Sequence, residues 1–520
     1  MVSRPNILFL QVDQLAAAYL GAYGNRVCHA PTLDRLADQG VVFENAYCNF
    51  PLCAPSRFSM ATGQLASKVG AYDNAAEFSS SIPTYAHHLR ELGYQTCLSG
   101  KMHFIGPDQY HGFETRLTAD LYPADFSWAP NWADEGKRDT NDPRGVIISG
   151  ICARSVQIDY DEEVTHKAVQ HIYDLARSDD DRPFFLQISY THPHEPYLCR
   201  KEFWDLYEGV EIPMPSVGAL SPNRHDAHSR RLLTDFGMLD FSFSAADIRR
   251  ARRAYYGSIS YIDQLVGRVL EALKATGADQ NTAIIFTSDH GEMLGERGMW
   301  FKKHFFEPSM HIPLILSAPW IAPQRVDELC SLVDLLPTFN GLALGHPWQS
   351  DDQDLDGIDL TGLLAGGNPI APRSVYAEYL AEATTSPIFM IRRGTFKFIS
   401  SADDPDLLFD LDADPDECVN LADDPGYHGT VEAFHAELAE TWDPPGLTQR
   451  ILQSQRRRLR VRNAMKTGRP TTWNHDEKPG DQVLWYRGKG SYNEWAFNYM
   501  PPAGEDPPPE GEQIQQRRRQ

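Results

Sequence analysis

No stretch of this 520-residue chain is both long and apolar enough to cross a bilayer, so no membrane span is expected. Positive charge is scarce: 48 Lys and Arg stand against 71 Asp and Glu, a formal net charge of -23. Nucleic acid or an anionic membrane would repel such a chain, and neither is expected as a partner. A small anionic ligand is compatible only if cations are gathered locally. Cysteine pairing is missing too, because the eight cysteines (28, 48, 53, 97, 152, 199, 330 and 418) stand singly, with no CxxC pair. Free or buried thiols suit a reducing compartment, and a cytoplasmic protein is expected. The opening MVSRPNILFLQVDQ breaks its apolar run at Gln11 and Asp13, unlike a secretory signal. Low-complexity bias is absent from the body, and only the closing PPAGEDPPPEGEQIQQRRRQ is suited to disorder.

What is present is an alternation of strands and helices. Asn6 to Val12 is a continuous apolar run ending in Asp13, the pattern of a central strand in a covered sheet. PTLDRLADQG predicts a helix, VVFENAYC a strand, and a further helix is expected to open near Ser56. TYAHHLRELGY, QTCLSG, PFFLQISY, the long amphipathic IRRARRAYYGSISYIDQLVGRVLEALKATG and NTAIIFTSDHG continue the alternation. This is an α/β fold around a mostly parallel sheet. From about residue 370, SVYAEYL, FMIRRGTFKFIS and DLLFDLDADPDE predict short antiparallel strands. Three units are expected: a catalytic α/β domain over 1–370, a small β subdomain over 371–445, and an extension over 446–520. The extension holds a basic helix (QSQRRRLRVRNAMK) and the aromatic run LWYRGKGSYNEWAFNYM, which is expected to dock on another subunit or back on the body.

Asp13, Lys101, His103, His194, Asp289 and His290 all fall at or just past the C-terminal ends of predicted strands. In open α/β sheets that rim is where ligands bind. Asp13 and Asp289 are metal-ligand candidates, with helix N-caps as the ordinary alternative. Cys53 opens the stretch CAPSRFSMATG; alone it reads as a buried thiol, a disulfide half, a metal ligand or a reactive group.

CAPSR followed by Thr62-Gly63 resembles the type I sulfatase signature, whose cysteine becomes Cα-formylglycine. The resemblance implies an alkaline-phosphatase-like fold and a hydrated aldehyde whose one hydroxyl attacks sulfur while loss of the other's proton expels sulfate. It also implies maturation by a formylglycine-generating enzyme. VDQ and SDHG resemble the family's two metal segments, giving Asp13, Gln14, Asp289 and His290, with Cys53 once modified, as ligands of one divalent ion. Calcium suits the oxygen donors, as does magnesium, and the Gln14 and His290 mixture admits manganese. Arg57 would orient a gem-diol oxygen. Lys101 and His103 would bind sulfate and assist the nucleophile, with His103 the base. His194 and Lys302 would hold sulfate and serve the leaving oxygen. His192, in the same loop as His194, is expected to be structural.

YDNAAEF, SGKMHFIGPDQYHGFE, YPADFSW, THPHEPY and SDHGEMLGERGMWFK look like bacterial choline sulfatases in particular. That likeness implies a substrate pocket with Asn74, Trp128 and Glu382, where an aromatic face and an acid would meet a quaternary ammonium. It also implies a C-terminal extension used in a homodimer or homotetramer. Two departures stand out: Trp473-Asn474-His475 where those enzymes have an acid in the middle, and no aromatic-rich insertion over Ala133 to Arg144. Aryl and other alkyl sulfates therefore join choline sulfate as expected substrates. A phosphonate monoester or phosphodiester hydrolase also shares CxPxR, Asp-Gln and Asp-His, and a non-catalytic anion-binding homologue is the remote alternative.

Overall fold

The computed structural model describes residues 4–134, 142–349, 355–364, 371–468, 497 and 499–505. Its centre is an eight-stranded sheet in the order Gln324–Ser331, Val41–Tyr47, Leu314–Ser317, Thr282–Ser288, Asn6–Val12, Phe184–Ser189, Gln95–Gly100 and Thr115–Arg116. Leu314–Ser317 runs antiparallel to both neighbours, and the other pairs are parallel. Asn6–Val12 is paired on both edges, with Phe184–Ser189 and Thr282–Ser288. A strand flanked and covered in this way has nowhere to show polar groups to water, hence its apolar composition. Its one buried polar side chain beyond the first residue, Gln11, accepts from Gln187 Nε2 at 2.9 Å.

Two groups of helices cover the sheet. Val156–Arg177, Ala245–Ala275 and Pro31–Asp38 pack together, as do Cys53–Thr62, Tyr85–Glu91 and Leu335–Leu344. Phe9 meets the rings of Tyr85 and Phe339 edge-on, tying the central strand to the second group. The helix expected near Ser56 begins three residues earlier, at Cys53. Pro55 does not prevent that start, because proline is tolerated in a first helical turn, where its missing N–H has no intrahelical partner anyway. Because the central strands run parallel, Asp13, Lys101, the His194 loop and Asp289 all emerge on one rim.

A separate antiparallel sheet orders Ser374–Tyr379, Ile388–Arg393, Phe396–Ser401 and Leu407–Asp410. Gly394, at φ 56°, makes the two-residue hairpin turn that sets Arg393 opposite Phe396. Helix His428–Thr441 stacks Phe434 on Phe398, with ring centroids 5.3 Å apart. The basic helix spans Pro444–Met465 and lies against the body. Tyr499–Met500 adds a short antiparallel strand to Arg154–Ser155, and Arg144 lies 5.0 Å from the Phe497 ring. These tail residues thus dock on their own chain. Trp473-Asn474-His475 and most of the aromatic run lie outside the described residues. Among the described residues no helix is long and apolar enough to cross a membrane.

Candidate active site

The first turn of helix Cys53–Thr62 points at the rim, and all ten of its residues are buried. Ala54 N–H donates to Asn74 Oδ1 at 2.9 Å, and Ser56 Oγ donates to the Asp289 carbonyl at 2.5 Å. The helix start is therefore tied to both neighbouring loops. Around Cys53 Sγ, one donor atom each from Asp13, Asp289 and His290 gathers so that all four lie within 4.8 Å of one another. His290 Nε2 is 3.2 Å from the sulfur and Asp13 Oδ1 3.9 Å. Two carboxylates, an imidazole and an oxidisable sulfur, all fully enclosed, make a donor set that fits one hard divalent ion once Cys53 presents oxygen.

Cations hold these acids in place. Arg57 Nη2 donates to Asp13 Oδ2 at 2.9 Å and Nε to Asp289 Oδ2 at 2.8 Å. Its Nη1 donates to the Lys101 carbonyl at 2.7 Å and to Ser189 Oγ at 2.8 Å. The guanidinium expected to orient a gem-diol oxygen is thus spent chiefly on the two acids, spacing them by its rigid fork. Lys101 Nζ contacts Asp13 and stands 3.7 Å over the Tyr122 ring. Burial favours the neutral acid at Asp13, as does the Cys53 sulfur, but Lys101, His194 and Arg57 outweigh both and hold its pKa below the usual range. Burial likewise pushes the Cys53 thiol up, yet Lys101, Lys302 and His290 bring it well below an ordinary thiol. Excess positive potential is focused on this one side chain.

On the opposite flank, Lys302 Nζ donates to His194 Nε2 at 2.8 Å and to Gln14 Oε1 at 2.5 Å. His194 Nδ1 faces the Glu195 carbonyl at 2.7 Å, so the donor geometry assigns its proton to Nδ1. The Gln14 amide nitrogen donates to Glu195 Oε2 at 2.6 Å and also to Glu292. Gln14, at φ 66°, also donates its backbone N–H to Asp289 Oδ1 at 3.1 Å. Burial, then the Glu195 charge, pushes Glu292 up to about 7. His103, at φ 59°, is buried with its ring beside the Cys53 sulfur, a weak hydrogen-bond partner, and no other partner for its ring nitrogens among the described residues. Its backbone is fixed by Asp120 Oδ2, which accepts its N–H at 2.8 Å. Burial lowers the pKa of this imidazole, against the opposing pull of the nearby Cys53 sulfur.

The nominated residues thus converge, with two qualifications. Trp128 meets His103 edge-on at 5.6 Å, but Glu382 is already paired with Lys303 at 2.7 Å, so its charge is neutralised. His192 Nδ1 donates to Asp161 Oδ2 at 2.6 Å, as a structural residue does. Sequence reasoning missed Tyr122, Glu195, Glu292 and Ser189. Glu195 had a signal, a lone acid between His194 and Pro196; Tyr122 and Ser189 had none, since their roles depend on residues distant in sequence.

A sulfatase family model matches residues 5–346, and a model of the N-sulphoglucosamine sulphohydrolase C-terminal region matches 295–443. The chain belongs to the sulfatase family. It is 44% identical over 481 residues to a choline-sulfatase of Rhizobium meliloti (strain 1021), covering 91% of this chain and 93% of that protein. A human iduronate 2-sulfatase is 30% identical, covering 77% of this chain and 75% of that one. The phosphonate monoester hydrolase of Agrobacterium radiobacter superposes with a TM-score of 0.69 at 25% identity, covering 84% of this chain and 95% of that one. This sulfatase is a sulfuric ester hydrolase with the alkaline-phosphatase-like architecture expected of the family.

Proposed function

We propose that this sulfatase hydrolyses alkyl or aryl sulfate monoesters at Cys53, matured to formylglycine by a formylglycine-generating enzyme. The observation that carries the reading is the convergence of Asp13, Asp289 and His290 on the Cys53 sulfur, inside a ring formed by Lys101, Lys302 and His103. A divalent ion, calcium before manganese or magnesium, would be held by Asp13, Asp289, His290, the modified Cys53 and Gln14; it would acidify the nucleophilic hydroxyl. Gln14 would have to release Lys302 from its Oε1 to take that part. Arg57 fixes the two acids. Lys101 and Lys302 stabilise charge growing on the sulfate oxygens. His103, kept neutral by burial and with its ring beside residue 53, accepts the proton whose loss expels sulfate. Lys302, donating to His194, delivers a proton to the departing alcohol oxygen, and His194 orients it.

With Glu382 neutralised by Lys303, a cationic alcohol is not required, and substrates such as aryl sulfates stand beside choline sulfate. The cysteines support a cytoplasmic setting, as all eight are unpaired thiols. A homodimer or homotetramer built through residues 446–520, with 1–370 and 371–445 as the other two units, remains part of the proposal. Mass spectrometry of the Cys53 peptide, with kinetics of Cys53→Ala, tests the core of it. Formylglycine in the wild type and a rate loss of more than about 10⁴-fold in the variant are expected; an intact thiol in an active native enzyme would sink the mechanism.

A second reading is favoured by the likeness to the Agrobacterium radiobacter enzyme, and the Asp13-Gln14 and Asp289-His290 sequences are compatible with it: turnover of phosphonate monoesters or phosphodiesters. Relative kcat/KM on aryl sulfate, choline sulfate and an aryl phosphodiester separates the two. A diester turned over most efficiently would establish the second.

A further inference from the structure

Within the run Arg456-Arg457-Arg458 of helix Pro444–Met465, the first two arginines are exposed and the third is buried. Arg458 faces inward with Leu447, Ile451 and Gln455, the four residues of one helix face. Its Nη1 and Nη2 donate to Asp73 Oδ1 and Oδ2 at 2.6 and 2.7 Å, a bidentate pair spanning 385 residues of sequence. The fork is braced on its own helix by Nε, which donates to Ser454 Oγ at 3.1 Å.

Asp73 also shapes the turn that follows it. Its Oδ1 accepts the Ala75 N–H at 2.9 Å and its carbonyl the Ala76 N–H at 3.0 Å. The residue inside that turn is Asn74, whose Oδ1 accepts the N–H of Ala54, next to Cys53. The same helix face also holds a second segment, since Gln455 Oε1 accepts the Trp132 N–H at 2.8 Å. Trp132 in turn donates its indole N–H to the Ala381 carbonyl at 2.6 Å, beside Glu382.

We propose that Arg458 is a positioning residue for turnover: through Asp73 it seats Asn74 on the first turn of the Cys53 helix and so sets the aim of residue 53. The inference rests on Cys53 being the reacting residue, and goes beyond it by placing part of the machinery in the C-terminal helix. A buried fork between guanidinium and carboxylate suits this task because it fixes angle as well as distance. A displacement of about 1 Å at a reacting group is enough to cost roughly a hundredfold in rate.

The test compares full-length wild type with Arg458→Gln, Arg458→Lys, Asp73→Asn, the Arg458→Gln/Asp73→Asn double variant and Asn74→Ala. Each is assayed with 4-nitrophenyl sulfate, well below its melting temperature, with formylglycine content measured on the Cys53 peptide. Arg458→Gln and Asp73→Asn should each lower kcat per formylglycine by about 10- to 100-fold, with KM moving by less than about threefold. Arg458→Lys should recover little, because an ammonium cannot form the fork. The double variant should be no slower than the slower single one, within about twofold. Asn74→Ala leaves the buried pair intact and should show the same kcat loss, which keeps the test alive if the Arg458 variants misfold. Wild-type kcat in Asn74→Ala or in any folded Arg458 variant, or losses that multiply in the double variant, overturns the proposal. A wild type without formylglycine would instead overturn the reading of Cys53 on which it rests.

Discussion

Among the places where this molecule buries charge, two treat it differently. At the seam between the two sheets, Lys397 is wholly enclosed between Glu307 at 2.6 Å and Glu417 at 2.8 Å, with the Phe305 carbonyl at 2.9 Å. Two ammonium protons are donated to the Glu417 carboxylate and the Phe305 carbonyl, and Glu307 Oε1 closes the cage as an ion pair. Glu307 Oε2 accepts from Tyr47 at 3.1 Å, and Glu417 Oε2 accepts the Glu307 N–H at 2.8 Å. At the rim, by contrast, Lys101, Lys302 and His290 all bear on the Cys53 sulfur, and the His103 ring has that sulfur alone as a weak hydrogen-bond partner among the described residues. A network whose task is structural closes on itself, since each polar group left over costs its full desolvation. A site built for a sulfate ester leaves positive charge and donors for the anion that arrives.

The sharpest attempt to break this contrast is His103→Asn. Asparagine tolerates the left-handed backbone at φ 59° but cannot act as a base. Turnover should fall by about 10²- to 10⁴-fold, while the melting temperature moves little, because only a weak contact with the Cys53 sulfur is lost. Steady-state kinetics beside calorimetry would show it, and a kcat near wild type would remove His103 from the mechanism. Lys397→Met should do the reverse. Leaving Glu307 and Glu417 buried without their cation is expected to cost about 4 kcal/mol of stability, with kcat of the folded enzyme kept. Urea denaturation and activity on the same samples decide it; a large kcat loss without destabilisation would erase the distinction between seam and rim.

Much of the rim was legible because each part carries a local signal: an apolar run ending in an acid at Asp13 and Asp289, and CAPSR at the start of a helix. The eight-stranded sheet was legible for the same reason, since buried parallel strands announce themselves as uninterrupted apolar stretches. What could not be read were pairings made only when distant segments meet. Arg57 lies one turn from Cys53 in sequence, and only the fold shows that its fork grips Asp13 and Asp289 instead. Arg458 is one of three consecutive arginines, indistinguishable by composition from its exposed neighbours. Glu382 reads as an acid available to a cation until Lys303 is seen beside it.

The seam contains a second test of smaller size, at a carboxyl group paired with no cation among the described residues. Glu378, on strand Ser374–Tyr379, is fully buried and accepts the Ser67 N–H at 2.8 Å and the Trp442 indole N–H at 2.6 Å, together with the Ser67 hydroxyl. Burial pushes its pKa up to about 7, and these neutral donors only partly oppose the shift. In the folded state the group therefore holds a proton that the unfolded chain, titrating near 4.5, has released. Its contribution to stability is fully present below the unfolded pKa and is lost as pH rises toward and through about 7. The loss amounts to no more than about 3 kcal/mol. Glu378→Gln cannot ionise, so the gap in unfolding free energy between variant and wild type should change from pH 5 to pH 8, in favour of the variant at the higher pH. A gap that stays constant across that window would mean that Glu378 does not titrate there, and that hydrogen bonds from neutral groups satisfy a buried carboxylate at this seam as well as Lys397 satisfies its two.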